Sequence, residues 1–189
     1  MNRDKYLAAV RKRMSETRYV HTLGVMNTAS RLAKVYGESE EDAELAAILH
    51  DVVKFADRNW LKDQIVEHHM DERLLSFHHE LWHAPVGAIV AREEFGVTNQ
   101  NVLDAIRFHT TGRAQMSRLE KIIYCSDMIE PSRQFPGLEE LRKKDEEDLD
   151  ALMEMCVKRS IQFLIQKNQP VYPDSIHCYN DLVTRKENE

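Results

Sequence analysis

Leu45-Ala-Ala-Ile-Leu-His-Asp-Val-Val-Lys54 sets a histidine and an aspartate side by side in a segment that is otherwise apolar and reads as helical. An ionised carboxylate in such a setting must neutralise or find a cation, and neutral imidazole is the commonest metal ligand, so His50 and Asp51 point to a bound cation. On a helix Lys54 falls one turn beyond His50 and on the same side, where it can help hold an anion drawn to the metal. The same two letters also suit a solvated helix end. Their meaning therefore depends on what the rest of the chain adds.

Outward from this stretch the pattern is helix after helix, with six glycines, five prolines and no convincing alternating strand, which predicts an all-α fold. A short amphipathic helix is expected over 3–13, and a second from Ser15 to about Tyr36, closed by Gly37 as a left-handed C-terminal residue. His21 shares a face of that helix with Val25 and Leu32. Ser39 and Asp42 resemble a capping box and start the helix that carries His50 and Asp51, where the small Ala43, Ala46 and Ala47 would let a neighbouring helix come close.

Residues 57–79 are polar and weakly periodic, consistent with one or two short helices. Pro85 suits the first position of the next helix, which runs to Phe95 before Gly96 and has His83 at its start. Asn99 or Asn101 can cap the following one, in which Val102, Ala105, Ile106 and His109 keep the three-four spacing of a buried stripe. Thr110-Thr-Gly-Arg113 then breaks the helix and exposes hydroxyls, amides and a guanidinium beside the imidazole. A helix over 117–130 holds Asp127 as a lone acid in an apolar run. A long final helix is expected from Leu138 to about Asn168, with a stripe through Leu149, Leu152, Met153, Cys156, Val157, Ile161, Leu164 and Ile165 and a solvated charge run from Arg142 to Asp150. Pro170 and Pro173 precede a short C-terminal helix.

At 189 residues the expectation is one domain over 1–189, with a core from about 15 to 168 and an extension over 170–189. A net charge of -6 with scattered Lys and Arg argues against a nucleic-acid partner. Cys125, Cys156 and Cys178 are odd in number and widely spaced, so no disulfide framework or thiolate zinc site is indicated, which fits a reducing cytoplasm. Residues 1–6 lack the apolar core of a signal peptide, and no run reaches the length of a membrane span. The stripe on the long helix could be internal or form part of a homodimer surface.

The candidate metal ligands are His21, His50, Asp51, His83, His109 and Asp127, spread over five helices or helix ends. Four imidazoles and two carboxylates exceed the four donors of a closed tetrahedral zinc and suit two divalent ions about 3.5–4 Å apart, bridged by a carboxylate and a water. His68, His69, His78, His79 and His177 sit in polar surroundings and read as surface residues, with His79 a secondary candidate for its nearness to His83.

The order of a histidine, then His-Asp, then two further histidines and a late aspartate resembles the HD-domain metal-dependent phosphohydrolases. More narrowly, His50-Asp-Val-Val-Lys54, His83-Ala-Pro-Val-Gly-Ala88, Ala105-Ile-Arg-Phe-His-Thr-Thr-Gly-Arg113 and Asp127-Met-Ile-Glu-Pro-Ser-Arg133 resemble the YqeK-type bacterial members, which are symmetrical diadenosine tetraphosphate hydrolases. The resemblance implies a helical HD domain with the metal site at its centre. It implies that His21, His50, Asp51 and Asp127 hold one metal and that Asp51, His83 and His109 hold the second, with Asp51 bridging. It favours iron, although manganese, cobalt and zinc suit the same donors.

The implied reaction cuts diadenosine tetraphosphate at its centre into two ADP by a hydroxide shared between the metals, with Asp51 and Lys54 catalytic. Lys54, Thr110, Thr111, Arg113 and Arg133 would contact phosphate oxygens, the arginines by forked hydrogen bonds. Other readings are an HD-type phosphohydrolase acting on nucleoside monophosphates, deoxynucleoside triphosphates or guanosine alarmones, or a weakly active nucleotide-sensing module.

Overall fold

A computed structural model describes residues 2–186, among which there are ten α-helices and no strand. They are α1 (Arg3–Arg11), α2 (Glu16–Val35), α3 (Glu40–Leu49), α4 (Arg58–Glu67), α5 (His83–Glu93), α6 (Gln100–Arg107), α7 (Arg118–Ile129), α8 (Leu138–Lys144), α9 (Leu149–Gln166) and α10 (Pro173–Lys186). Two short 3-10 turns, Glu72–Ser76 and His79–Leu81, fill the polar stretch between α4 and α5. The all-helical expectation therefore holds. No helix among the described residues is long and apolar enough to cross a membrane.

The caps explain most of the boundaries. Ser15, Ser39 and Asn99 each accept a backbone N–H at the start of α2, α3 and α6, which satisfies one of the donors that a helix leaves unpaired at its first turn. Gly37, with φ of 66°, follows the end of α2 in the left-handed conformation that its position requires. At α7 the cap is reciprocal: Ser117 Oγ accepts from Glu120 N, and Glu120 Oε2 accepts from Ser117 N at 2.7 Å.

Helices α2, α3, α5, α6 and α7 pack around one centre. The α2–α3 pair is the most extensive, and α7 packs on α2, α3 and α6. Ala43, Ala46 and Ala47 are fully buried, so the close approach expected from their size is realised. His21 shares a buried face with Val25 and Leu32. Leu32, Ile48, Ile106, Ile122 and Ile123 are buried completely, each contributing about 1.5–3 kcal/mol relative to an exposed side chain.

Four expectations need correction. The helix that leads to His50 ends at Leu49, and residues 50–56 form successive tight turns, with Lys54 N donating to Asp51 O and Ala56 N to Val53 O. On a regular helix Asp51 would point about 100° away from His50, whereas both side chains here are buried at the same centre. Pro85 is the third residue of α5 rather than its first, a position equally free of an intrahelical N–H bond.

The long final helix is two, broken between Lys144 and Leu149, where Asp148 caps the second by accepting from Asp150 N and Ala151 N. The charge run across that break is partly structural. Asp145 is buried and accepts from Arg31, and Arg142 donates to the carbonyls of Ile129 and Glu130. The α9 stripe is buried as far as Ile161, while Ile165 is exposed.

Because Glu120 both closes the α7 cap and accepts from Arg113 Nε at 2.6 Å, it fixes the loop that follows His109 to the helix that carries Asp127. Ser117→Ala should lower unfolding free energy by about 1 kcal/mol. Glu120→Ala should cost more, because it leaves the half-buried Arg113 without its main partner, and urea denaturation followed by circular dichroism measures both.

Candidate metal centre

The six candidate ligands arrive from five places and meet. His21 comes from α2, His50 and Asp51 from the turn after α3, His83 from the first residue of α5, His109 from just beyond α6, and Asp127 from α7. Asp51 lies between two pairs of imidazoles. Its Oδ2 is 2.9 Å from His50 Nε2 and 3.8 Å from His21 Nε2, while its Oδ1 is 3.0 Å from His83 Nε2 and 3.8 Å from His109 Nε2. Asp127 Oδ1 is 3.0 Å from His21 Nε2 and 4.0 Å from His50 Nε2. Two donor groups result, His21–His50–Asp51 and Asp51–His83–His109, each compact enough to hold an ion, with Asp51 common to both.

The orientation of the rings decides what these groups can bind. His50 Nδ1 is 2.6 Å from the Ala47 carbonyl, His109 Nδ1 is 2.7 Å from the Ile106 carbonyl, and His21 Nδ1 is 2.9 Å from Glu130 Oε1. Acceptor oxygens there require the ring proton on Nδ1, which turns each Nε2 lone pair toward Asp51 and Asp127. Lone pairs and carboxylate oxygens facing one another across about 3–4 Å call for a cation between them. The Nε2 atoms of His21 and His50 and Oδ1 of Asp51 are also buried without a hydrogen-bond partner. The donor set therefore fits divalent ions; its mixture of nitrogen and oxygen excludes only metals that demand thiolate or all-oxygen cages.

The electrostatics agree. Burial opposes ionisation of Asp51, yet the facing His50 and His83 outweigh it and hold its carboxyl well below the usual carboxylate range. Burial likewise opposes a charge on His50, but the facing Asp51 outweighs it and raises the ring's pKa, so the site favours positive charge beside that carboxylate. His109, pushed down to about 3 by burial and by its neighbours His50 and His83, stays neutral as a ligand must.

The expected phosphate contacts are placed differently from one another. Lys54 is paired with Glu80. Arg133 donates to Asp127 Oδ1 at 2.6 Å and to the Asp127 carbonyl at 2.8 Å. Arg113 is engaged by Glu120 and Asp104 and stacks on Phe108. Thr111 is buried rather than exposed, and with Thr110 it lines a cavity of about 210 Å³ together with Leu74, Leu81, Phe108 and Tyr172, whose walls include none of the six donors.

Three further residues belong to the centre and were not singled out from the sequence. Arg18, one turn ahead of His21, is paired with Asp51. Glu130 is fully buried and accepts from Ser132 N at 2.7 Å and from Ser132 Oγ, besides holding His21. Burial works against its ionisation, but Ser132 and His21 keep its pKa lowered. Gly24, one turn after His21, makes room for it: a Cβ there would collide with Glu130 Oε2. The signal for Glu130 was its place in Ile-Glu-Pro-Ser-Arg, three residues beyond Asp127; Arg18 and Gly24 carried none.

Residues 18–132 match the HD domain family, so the match runs from Arg18 to just past Glu130. The chain belongs to that family. This HD-domain chain is 48% identical to a Bacillus subtilis protein named bis(5'-nucleosyl)-tetraphosphatase, symmetrical, over 97% of its own length and 99% of the relative's. It is 49% identical to a protein of the same name from Halalkalibacterium halodurans, over 99% of this chain and 100% of that one. A crystal structure from Clostridium acetobutylicum, described as a predicted HD superfamily hydrolase involved in NAD metabolism, shares 37% identity and a TM-score of 0.92 over 98% of each chain.

If Glu130 orients His21, then Glu130→Gln and Gly24→Ala should each weaken metal retention about 10–100-fold while leaving helix content intact. Equilibrium dialysis against a graded chelator with elemental analysis of the protein reads this directly. Unchanged retention in both variants would show that His21 needs no such support.

Proposed function

We propose that this chain hydrolyses diadenosine tetraphosphate at its centre to give two ADP. One observation carries the reading: over essentially its whole length the chain matches relatives named for that reaction, at 48% and 49% identity. The gathered donor set supports it, since symmetrical cleavage needs a centre that can deliver water to an inner phosphoryl group and bear the charge that builds there.

Asp51 is the shared ligand, with His21, His50 and Asp127 on one side and His83 and His109 on the other. Bound divalent ions would supply a water nucleophile at neutral pH and offset negative charge on the phosphoryl oxygens. Iron is the metal we favour, in keeping with mixed imidazole and carboxylate donors. The chain's own contribution is positional. The Nδ1–H bonds to Ala47, Ile106 and Glu130 fix the rings, and the walls of buried alanine and isoleucine exclude bulk water from Asp51.

Lys54 and Arg133 are partly exposed and would reach phosphate by exchanging a carboxylate partner for a phosphate oxygen. Thr110 offers a hydroxyl that has no protein partner. Thr111 and Arg113 act by holding the loop that follows His109. Three buried free cysteines are in keeping with a cytoplasmic enzyme.

A second reading, hydrolysis of another nucleotide, draws on the Clostridium relative's description. Both share the metal centre, so the products decide. Protein purified anaerobically should contain two iron equivalents and convert diadenosine tetraphosphate to ADP alone, with Asp51→Ala reduced to background; chromatography of the products and elemental analysis measure this. AMP plus ATP as products, or no turnover alongside brisk phosphate release from monophosphates, would overturn the first reading.

A further inference from the structure

We infer that Arg18 is a phosphate-binding residue of this centre, held on Asp51 only while no metal claims that carboxylate. The inference rests on the reading of a phosphate-ester substrate given above. Its starting point is a comparison of the cations around the cluster. Lys54 has Glu80 and Arg113 has Glu120 and Asp104, none of them a candidate ligand, whereas Arg133 sits on Asp127 and is also anchored by the Asp127 carbonyl. Arg18 pairs with Asp51 Oδ2, the same oxygen that faces His50 Nε2 at 2.9 Å and belongs to the His21–His50–Asp51 donor group. A metal in that group and the Arg18 guanidinium compete for one oxygen.

The outcome of that competition follows from charge and from place. A divalent ion beside Asp51 removes the attraction that holds Arg18 and repels its guanidinium. The Asp51 side chain is 0% exposed and that of Arg18 is 19% exposed, so Arg18 stands at the boundary between the cluster and solvent. Its Nε is already buried without a hydrogen-bond partner. A guanidinium released at that position offers its planar donor fork next to the metals, the geometry that suits a phosphate group. Its backbone is held independently, since Arg18 N donates to the Ser15 cap at the start of α2.

The test compares wild type, Arg18→Met and Arg18→Lys as metal-loaded proteins and after chelation. With metal bound, calorimetric titration of inorganic phosphate and of ADP should show binding weakened about tenfold or more in Arg18→Met and partly restored in Arg18→Lys, at unchanged metal content. KM for diadenosine tetraphosphate should rise in step. After chelation, Arg18→Met should melt earlier than wild type, because Asp51 loses its cation, whereas the metal-loaded forms should melt together. Unchanged phosphate and ADP affinity would overturn the proposal, as would loss of metal or an equal loss of stability in both forms, which mark a purely structural arginine. Should diadenosine tetraphosphate prove not to be a substrate, Arg18-dependent binding of inorganic phosphate would still stand, so the two readings fail separately.

Discussion

A fully buried carboxylate faced by four imidazole nitrogens sits at the middle of this molecule, and an arrangement of that kind is stable only if cations share it. Asp51 is removed from water, with His21 and His50 toward one oxygen and His83 and His109 toward the other. Desolvation alone would neutralise the acid; the neighbouring rings keep it ionised, and Nδ1 hydrogen bonds on His21, His50 and His109 turn their Nε2 atoms inward. Arg18 adds a further positive charge beside the same carboxylate.

The helices serve that demand by bringing short donors together without bulk between them. Alanines on α3 let α2 approach, and Gly24 on α2 leaves the space through which Glu130 reaches His21. Glu120 couples the His109 loop to α7, and Arg142 ties the end of α7 to α8 through the Ile129 and Glu130 carbonyls. The Arg142 bonds fall on Glu130 itself and on its neighbour Ile129, and the Gly24 space is filled by the same carboxylate. Stability and function are therefore difficult to separate here: loss of a cap or a buried pair would shift a donor by the fraction of an ångström that decides coordination.

Much of this was legible in the chain before any coordinates. Helix starts at Ser15, Ser39 and Asn99, and the stop at Gly37, rest on local hydrogen bonds and on backbone freedom that a few residues specify. The six candidate ligands were legible because histidine and aspartate in apolar runs are expensive to bury without purpose, and because their order matches the HD pattern. What local signals missed depended on distant partners. The turn that replaces helix at His50 exists to aim two adjacent side chains at one point, and the break at 145–148 follows from Asp145 accepting from Arg31 on α2. Arg113 and Thr111 read as free donors in the sequence, yet Glu120 and burial claim them.

By itself, then, the sequence determined the helical class, most of the capped ends and the six candidate donors, because hydrophobic period, capping chemistry and ligand type are properties of short stretches. Only the tertiary structure decided which oxygen of Asp51 faces which histidines, that Glu130 and Gly24 stand beside His21, and that Arg18 pairs with Asp51. Those are relations between residues up to about a hundred positions apart, such as His21 and Glu130. No periodicity or spacing encodes them; they arise when α2, α3 and α7 pack and place the side chains within hydrogen-bonding distance.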